Sequence, residues 1–131
     1  MEDRKQILII EDHDSIRLLL GKYLSKSYRV ATRRDGLDAM SWLSRGNLPD
    51  LILLDREMPR INGLEFLINL RSSGQFRLIP VLLVTGEENP QQLRPFKRLG
   101  ISGYIPKPFN PAKVSEAIYG ILDQHPQALF I

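Results

Sequence analysis

The chain has 131 residues, a length that suits one globular domain. Apolar residues make up 43% and charged residues 25%, so an intrinsically disordered chain is excluded. The absence of cysteine excludes disulfide scaffolds, thiolate metal sites and cysteine nucleophiles, and two histidines are too few for a His-rich metal site. No apolar run is long enough to cross a membrane and no signal peptide opens the chain, so we expect a cytoplasmic protein without membrane contacts.

The net charge of +3 comes from 18 basic and 15 acidic residues. The basic residues are scattered, with no basic run and no recognition-helix motif, so we predict no nucleic-acid binding by this domain itself. An acidic protein partner fits the mild excess of positive charge at least as well.

Five short apolar runs alternate with longer amphipathic segments. Three of the runs, ILII, LILL and VLLV, are apolar without alternation, which is typical of parallel strands that are covered on both faces. The predicted strands are Gln6–Ile10, Tyr28–Thr32, Leu51–Leu54, Val81–Val84 and Gly103–Ile105.

The first three intervening segments have helical periodicity. Asp14 is the predicted N-cap of a helix over Ser15–Ser25, in which Leu19 faces the core and Leu18 faces solvent. The apolar residues that predict the next two helices are Leu37, Met40 and Leu43, and then, after Gly63, Leu64, Phe66, Leu67 and Leu70.

Asparagine followed by proline marks the start of two more helices, at Asn89-Pro90 and Asn110-Pro111. His125-Pro126 is the predicted end of the last helix. Pro95 falls in the fourth helix, where an interior proline costs about 3 kcal/mol. We therefore expect a short or mobile fourth helix, which is either kinked or starts late with Pro95 near its first turn.

Strand followed by helix, repeated five times, predicts an α/β fold with a doubly wound parallel sheet. In such sheets the functional site lies at the carboxyl ends of the strands. Each polar residue there has an ordinary explanation, such as a turn or a surface charge, but together they predict a site. The residues are Glu11, Asp12, Asp55, Thr85 and Lys107.

This set of side chains suits phosphoryl chemistry. Crowded carboxylates repel one another, and a divalent cation relieves that repulsion. Because the ligands are oxygen atoms, Mg²⁺ is favoured over zinc. With the ion and the ammonium of Lys107 the charges cancel, so Asp55 can accept a phosphoryl group whose charge these partners stabilise. The hydroxyl of Thr85 can donate a hydrogen bond to that group.

The chain resembles the receiver domain of bacterial two-component response regulators. The resemblance covers residues 6–124 and rests on four motifs in order, ILIIEDH, LILLDREMPRINGLEF, VLLVTG and GYIPKPF. It implies a flavodoxin-like sheet of five parallel strands in the order 2-1-3-4-5, with five helices. We accordingly expect a receiver domain over residues 1–124 and a C-terminal tail over residues 125–131.

The resemblance also implies roles for single residues. Asp55 is the expected phosphoacceptor, and a histidine kinase or a phosphotransfer protein is expected to supply the phosphoryl group. Lys107 is expected to pair with Asp55 or with its phosphoryl group. Thr85 and Tyr104 are the expected switch pair. The expected Mg²⁺ ligands are Asp12 directly, Glu11 mostly through water, Asp55, and the backbone carbonyl of Glu57. A cis peptide is expected between Lys107 and Pro108.

Several positions depart from the family's usual pattern. Glu57 and Glu87 stand where side chains flank the phosphoryl group, so we expect them to influence its lifetime in a direction that the sequence leaves open. Gly86 replaces a usual alanine, either as a neutral change or as a loosening of the loop. Pro106 and Pro108 bracket Lys107, and we hypothesise that they preset the position of the lysine.

Two surfaces are candidates for partner binding. Arg94, Lys97 and Arg98 form an expected basic output face for an acidic downstream protein. Leu18, together with Phe109, is an expected docking position for a kinase or phosphotransfer protein.

The function that we predict is a phosphorylated signalling switch, which is not an enzyme in the ordinary sense but promotes its own phosphorylation and dephosphorylation. One alternative is an interaction module of the same fold that acts independently of phosphate. Another is a receiver fragment of a larger regulator or hybrid kinase. A flavodoxin-like cofactor binder is disfavoured because EDHDS places acids where a phosphate would have to bind, and no P-loop motif occurs.

Overall fold

The computed structural model describes residues 3–58, 61–86 and 89–130, with residues 124–130 described as backbone only. Strands and helices alternate along this part of the chain. The strands are β1 (Gln6–Ile10), β2 (Arg29–Arg33), β3 (Leu51–Asp55), β4 (Val81–Thr85) and β5 (Gly103–Pro106). The helices are α1 (Asp14–Leu24), α2 (Gly36–Ser44), α3 (Gly63–Ser72), α4 (Pro90–Arg98) and α5 (Pro111–Phe130).

The five strands form one parallel sheet in the order β2-β1-β3-β4-β5, which confirms the predicted doubly wound α/β topology. Every residue of β3 and β4 is buried, as their unbroken apolar runs predict. The register pairs Ile10 with Leu54 and Asp55 with Val84. The carboxyl ends of β1, β3 and β4 therefore meet at one edge of the sheet.

Two apolar cores lie on opposite faces of the sheet. Alternate strand residues such as Leu8 and Ile52 pack against α2, α3 and α4, whereas Ile7 and Leu53 pack against α1 and α5. Because successive strand side chains point to opposite faces, each central strand supplies both cores.

The turn from β3 into α3 is held by a close backbone approach and a capping box. A Cβ atom at Gly63 would lie 2.9 Å from both the Cα and the carbonyl oxygen of Arg56, so only glycine fits without a shift. Asn62 accepts from the backbone N–H of Glu65, whose side chain accepts from the N–H of Asn62. These contacts fix the segment that follows Asp55.

Two details of α1 differ from the sequence-based predictions. The N-cap of α1 is His13, and Asp14 is the first helical residue. Leu19 is 53% exposed, because the face of α1 that packs on the sheet is the one that carries Leu20 and Leu24, four residues apart. Leu19 lies to one side of that face. The helix predicted from Leu37, Met40 and Leu43 is present as α2, which buries Ala39, Trp42 and Leu43 and leaves Leu37 exposed.

The last two helices correct two predictions about proline. Helix α4 begins at Pro90, as the Asn89-Pro90 pair predicts, so Pro95 lies inside it and the alternative of a late start is wrong. Helix α5 continues through His125-Pro126 to Phe130, where the sequence predicted an end. Proline disfavours but does not forbid a helical conformation at the preceding residue. Residues 125–131 as a separate tail remain a prediction. Within the described residues, no helix is both long and apolar enough to cross a bilayer.

Candidate functional site

The polar residues predicted to form a site are brought together at the carboxyl edge of the sheet. Glu11 and Asp12 follow β1, Asp55 ends β3, and Thr85 ends β4. Lys107 follows β5, and its backbone N–H donates to the carbonyl of Thr85 at 2.8 Å. This bond brings the loop after the edge strand back over the sheet and turns the lysine toward Asp55.

Asp55 lies at the bottom of this site, with 1% of its surface exposed. Its Oδ1 accepts hydrogen bonds from Lys107 Nζ at 2.8 Å and from the backbone N–H of Glu57 at 3.1 Å. Oδ2 is buried and has no hydrogen-bond partner among the described residues, and the same is true of Oδ1 of Asp12, which lies 3.5 Å from Nδ1 of His13. Buried carboxylate oxygens without a donor are costly, so these two atoms indicate a position for a bound cation.

The electrostatics of the pair reflect this burial. Loss of solvent raises the pKa of Asp55 to about 7, the charge of Glu11 adds to the increase, and the hydrogen bond from Lys107 opposes it. Burial acts to lower the pKa of Lys107, but the hydrogen bond and charge of Asp55 outweigh it and raise the pKa. An additional positive charge beside Asp55 would therefore favour its ionised form.

Among the described residues, four side chains are close enough together to hold a metal ion. Glu11, Asp12, His13 and Asp55 each offer a ligand atom, and these atoms lie within 4.8 Å of one another. His13 was not predicted as part of this group. Its Nδ1 lies 3.1 Å from Oε2 of Glu11, and its place directly after two acids was the available signal. The group fits a divalent cation, since most of the donors are carboxylate oxygens.

The side chain of Glu57 joins the site as well. Its Oε1 accepts from Lys107 Nζ at 3.3 Å and more distantly, at 3.5 Å, from the backbone N–H of Gly86. Its Oε2 accepts from Thr85 Oγ1 at 3.3 Å and from Arg56 at 2.8 Å. Burial acts to raise the pKa of Glu57, but the hydrogen bonds from Arg56 and Lys107 outweigh it and lower the pKa.

Arg56 is a site residue that the sequence-based analysis missed. Besides pairing with Glu57, its guanidinium donates to Gln92 at 3.4 Å and lies 5.7 Å from the ring centroid of Phe96. Both of these partners belong to α4. A cleft of about 520 Å³ opens beside this contact, lined among others by Asp12, Arg56 and Glu57. Arg56 therefore links the site to α4.

Thr85 and Tyr104, the predicted switch pair, lie on the adjacent strands β4 and β5, whose register pairs Thr85 with Pro106 and Leu83 with Tyr104. Tyr104 is half-buried against the core on the α4 face, and the ammonium of Lys97 lies 5.8 Å from its ring centroid. The peptide between Lys107 and Pro108 is cis, as the family resemblance implied. A Cβ atom at Gly86 would meet no atom of the described residues within 4 Å.

The expected partner surfaces are placed as follows. Arg94, Lys97 and Arg98 are exposed on α4. Leu18 is 66% exposed but lines a groove along α1 that does not include Phe109. Phe109 instead shares an apolar groove of about 450 Å³ with Leu19 and with Ile16, Lys107 and Pro108. Glu87 lies outside the described residues.

The site thus gathers acids, an ammonium, a hydroxyl and a backbone amide around one buried carboxylate. The acids could hold a cation on one side of Asp55, and Lys107, Thr85 and Gly86 offer donors on the other. Donors and a cation placed around a carboxylate nucleophile are what the transfer of a phosphoryl group to that carboxylate requires.

Comparisons with known proteins agree with this arrangement. The chain matches the response regulator receiver domain family over residues 7–119. It is 31% identical to chemotaxis protein CheY-3 of Vibrio cholerae over 91% of this chain and 92% of that protein. It is also 33% identical, over 88% of its length, to hybrid signal transduction histidine kinase D of Dictyostelium discoideum, of which it spans only 7%.

A solved structure shows the same fold. The chemotaxis response regulator CheY4 of Vibrio cholerae superimposes with a TM-score of 0.83 at 29% identity, covering 90% of this chain and 98% of that one. The five-stranded topology, the acidic edge of the sheet and the family match over residues 7–119 all agree. The chain belongs to the response regulator receiver domain family of signalling proteins.

Proposed function

We propose that Asp55 accepts a phosphoryl group from the phosphohistidine of a histidine kinase or phosphotransfer protein. In this step a carboxylate oxygen of Asp55 bonds to phosphorus, the phosphorus–nitrogen bond breaks, and the histidine leaves with the electron pair. The observation that carries the proposal is that Oδ2 of the buried Asp55 has no hydrogen-bond partner among the described residues, while Oδ1 is held by Lys107 at 2.8 Å. One oxygen is thereby oriented while the other is available.

Mg²⁺ is the proposed cofactor. Asp12 and Asp55 would hold it directly, Glu11 mostly through water, and the backbone carbonyl of Glu57 would be a further ligand. Bound there, Mg²⁺ would supply charge stabilisation on the phosphoryl oxygens. The buried Oδ1 of Asp12, which has no hydrogen-bond partner among the described residues, supports this placement.

Lys107 and Thr85 are the proposed protein donors to the phosphoryl group. The ammonium of Lys107 already contacts the acceptor, so it needs no large movement to stabilise added negative charge. Thr85 donates its hydroxyl to the same side of the site. We propose that its engagement by the phosphoryl group is coupled to the position of Tyr104 on the neighbouring strand, and that the two residues form the switch.

The receiver is also proposed to promote its own phosphorylation and dephosphorylation. Glu57, whose side chain is 46% exposed beside Asp55 and Lys107, is placed to influence an attacking water. Glu87 is proposed to act with it, and this role stays a prediction.

Receiver domains interact with histidine kinases or phosphotransfer proteins and with downstream targets, and two surfaces are proposed for these contacts. The apolar groove at Phe109, with Leu18 on the adjoining face of α1, is proposed for the phosphodonor. The exposed cations Arg94, Lys97 and Arg98 are proposed for an acidic downstream protein. The cytoplasm is the proposed compartment.

A receiver that forms part of a hybrid kinase is a second candidate, favoured by the match to the Dictyostelium kinase. The proposed chemistry at Asp55 is the same in either setting. Binding of beryllofluoride, a stable mimic of the phosphoryl group, tests it directly by NMR. We expect amide shifts at Thr85 and Gly86 that need Mg²⁺ and disappear in Asp55→Asn. Shifts that persist in the variant would refute Asp55 as the acceptor.

A further inference from the structure

We propose that, in the resting protein, the carboxylate of Glu57 accepts hydrogen bonds from the donors that would bind the phosphoryl group. When Asp55 is phosphorylated, Glu57 releases these donors to the phosphoryl group. This inference rests on the proposed function, because it assigns a regulatory role to a side chain within the same site. It differs from an effect of Glu57 on hydrolysis, since it concerns the state before phosphorylation.

The contacts of Glu57 carry the proposal. Besides Arg56, the described donors to its two carboxylate oxygens are Lys107 Nζ and Thr85 Oγ1, each at 3.3 Å, and the backbone N–H of Gly86 at 3.5 Å. An ammonium, a hydroxyl and an amide beside a buried acceptor are the donors that an anionic group on Asp55 would use. The carboxylate of Glu57 therefore already fills the place of such an anion.

Charge makes the two occupants mutually exclusive. The ammonium of Lys107 lies 2.8 Å from Oδ1 of Asp55 and 3.3 Å from Oε1 of Glu57, so two carboxylates share one positive charge. Phosphorylation replaces the charge of Asp55 with about two negative charges on the phosphoryl oxygens. Glu57 and the phosphoryl group would then compete for one cation at close range, where like charges repel.

Arg56 gives the displaced carboxylate a partner. Its contact with Glu57, at 2.8 Å, is shorter than those of Lys107 and Thr85. The same guanidinium contacts Gln92 and Phe96 on α4, so it is held independently of Glu57. Glu57 can release Lys107 and Thr85 while it keeps a charged hydrogen bond.

The test compares two variants that separate occupancy from net charge. Glu57→Gln removes the charge, whereas Glu57→Asp keeps the charge but ends one methylene short of Lys107 and Thr85. With Mg²⁺ present, we expect both variants to bind beryllofluoride about five-fold more tightly than the wild type, which corresponds to the loss of about one competing hydrogen bond. The control is Glu116→Gln, an exposed position on α5, which we expect to leave the affinity unchanged.

A gain in Glu57→Gln alone would show that only the electric field of Glu57 matters, and would overturn the proposal. No gain in either variant would also overturn it.

A second measurement keeps this inference separate from the proposed function. In the resting protein, without beryllofluoride, the NMR signals of the Lys107 ammonium and the Gly86 amide should shift in both Glu57 variants. If they do not, Glu57 does not occupy these donors. If the signals shift but no form of the protein binds beryllofluoride, the contacts are confirmed and the proposed phosphoacceptor function fails.

Discussion

The ammonium of Lys107 donates a 2.8 Å hydrogen bond to Oδ1 of Asp55, across 52 positions of the chain. Asp55 is the last residue of β3 and Lys107 directly follows β5, and these two strands lie on either side of β4 in the sheet. The loop after β5 is drawn inward because the backbone of Lys107 pairs with the last residue of β4, Thr85. A buried acid and its counter-charge are thus positioned by three adjacent strands.

Loss of the positive charge of Lys107 should raise the pKa of Asp55. In Lys107→Met without metal, we expect the pKa of Asp55 to rise further above its wild-type value of about 7, because burial and Glu11 then act without the opposing hydrogen bond. Titration of the Asp55 carboxyl carbon by NMR measures this. Lys113→Met, an exposed substitution on α5, is the control. A fall in the pKa of Asp55 in Lys107→Met would contradict the account.

The raised pKa of Asp55 also predicts how stability depends on pH. The folded protein holds a proton on Asp55 up to about pH 7, whereas the unfolded chain releases it near pH 4, so this group's stabilisation is lost between those values as pH rises. Asp55→Asn removes the cost of ionisation. In metal-free buffer we expect the variant to gain stability over the wild type between pH 4 and pH 8, by a few kcal/mol.

Urea unfolding across the pH series measures this difference. A constant difference between the two proteins at every pH would rule the explanation out. Mg²⁺ should reduce the difference at pH 8, since a cation stabilises the ionised wild-type site and has one charged ligand fewer in the variant.

Gly63 should not tolerate a side chain. A Cβ atom there would lie 2.9 Å from two backbone atoms of Arg56, so either the turn after Asp55 or the start of α3 must move. We expect Gly63→Ala to cost about 2 kcal/mol of unfolding free energy, in the range of overpacking substitutions. Gly74→Ala is the matched control, because its Cβ would meet no atom of the described residues within 4 Å. Equal stabilities for the two variants would contradict the steric explanation.

Arg71 should matter for stability although it lies away from the site. Its guanidinium donates to the carbonyls of Leu99, Arg77, Ile79 and Gly100, which joins the end of α3 to the loops around β4 and α4. We expect Arg71→Ala to lower the unfolding free energy by about 2–3 kcal/mol, since hydrogen bonds from charged groups contribute more than neutral ones. Thermal unfolding should show no comparable effect in the exposed control Arg34→Ala.

Charge reversal on α4 tests the proposed output surface. Replacing Lys97 and Arg98 together by glutamate should abolish binding of the acidic partner while the fold and beryllofluoride binding are retained, because both side chains are exposed. Partner affinity can be measured by calorimetry with the phosphorylated protein. Lys113→Glu is a control on α5, and unchanged affinity in the α4 double variant would remove this surface from consideration.

Much of the fold followed from local sequence patterns. The runs ILII, LILL and VLLV are the central strands, since only strands covered on both faces are apolar without alternation. The site was predictable because the carboxyl ends of parallel strands lie at one edge of the sheet. Asp12, Asp55 and Lys107 follow or end such strands, so their proximity does not depend on how the helices pack.

The sequence did not predict features that depend on how the helices and strands pack against one another. Periodicity placed Leu19 inward, but the direction from which the sheet approaches α1 decides which flank is covered. The pairing of Arg56 with Glu57, and of both with α4 and Lys107, depends on side-chain rotamers at a turn. His125-Pro126 predicts the end of the last helix, yet the helical backbone continues past it.

The most direct test of the central claim is the intact mass of the protein after incubation with a small phosphodonor, with and without Mg²⁺. We predict the gain of one phosphoryl group in the wild type and in the control Asp123→Asn, only when Mg²⁺ is present, and no gain in Asp55→Asn. A phosphoryl group that is still gained by Asp55→Asn, or no gain by the wild type under any condition, would contradict the assignment of Asp55 as the phosphoacceptor.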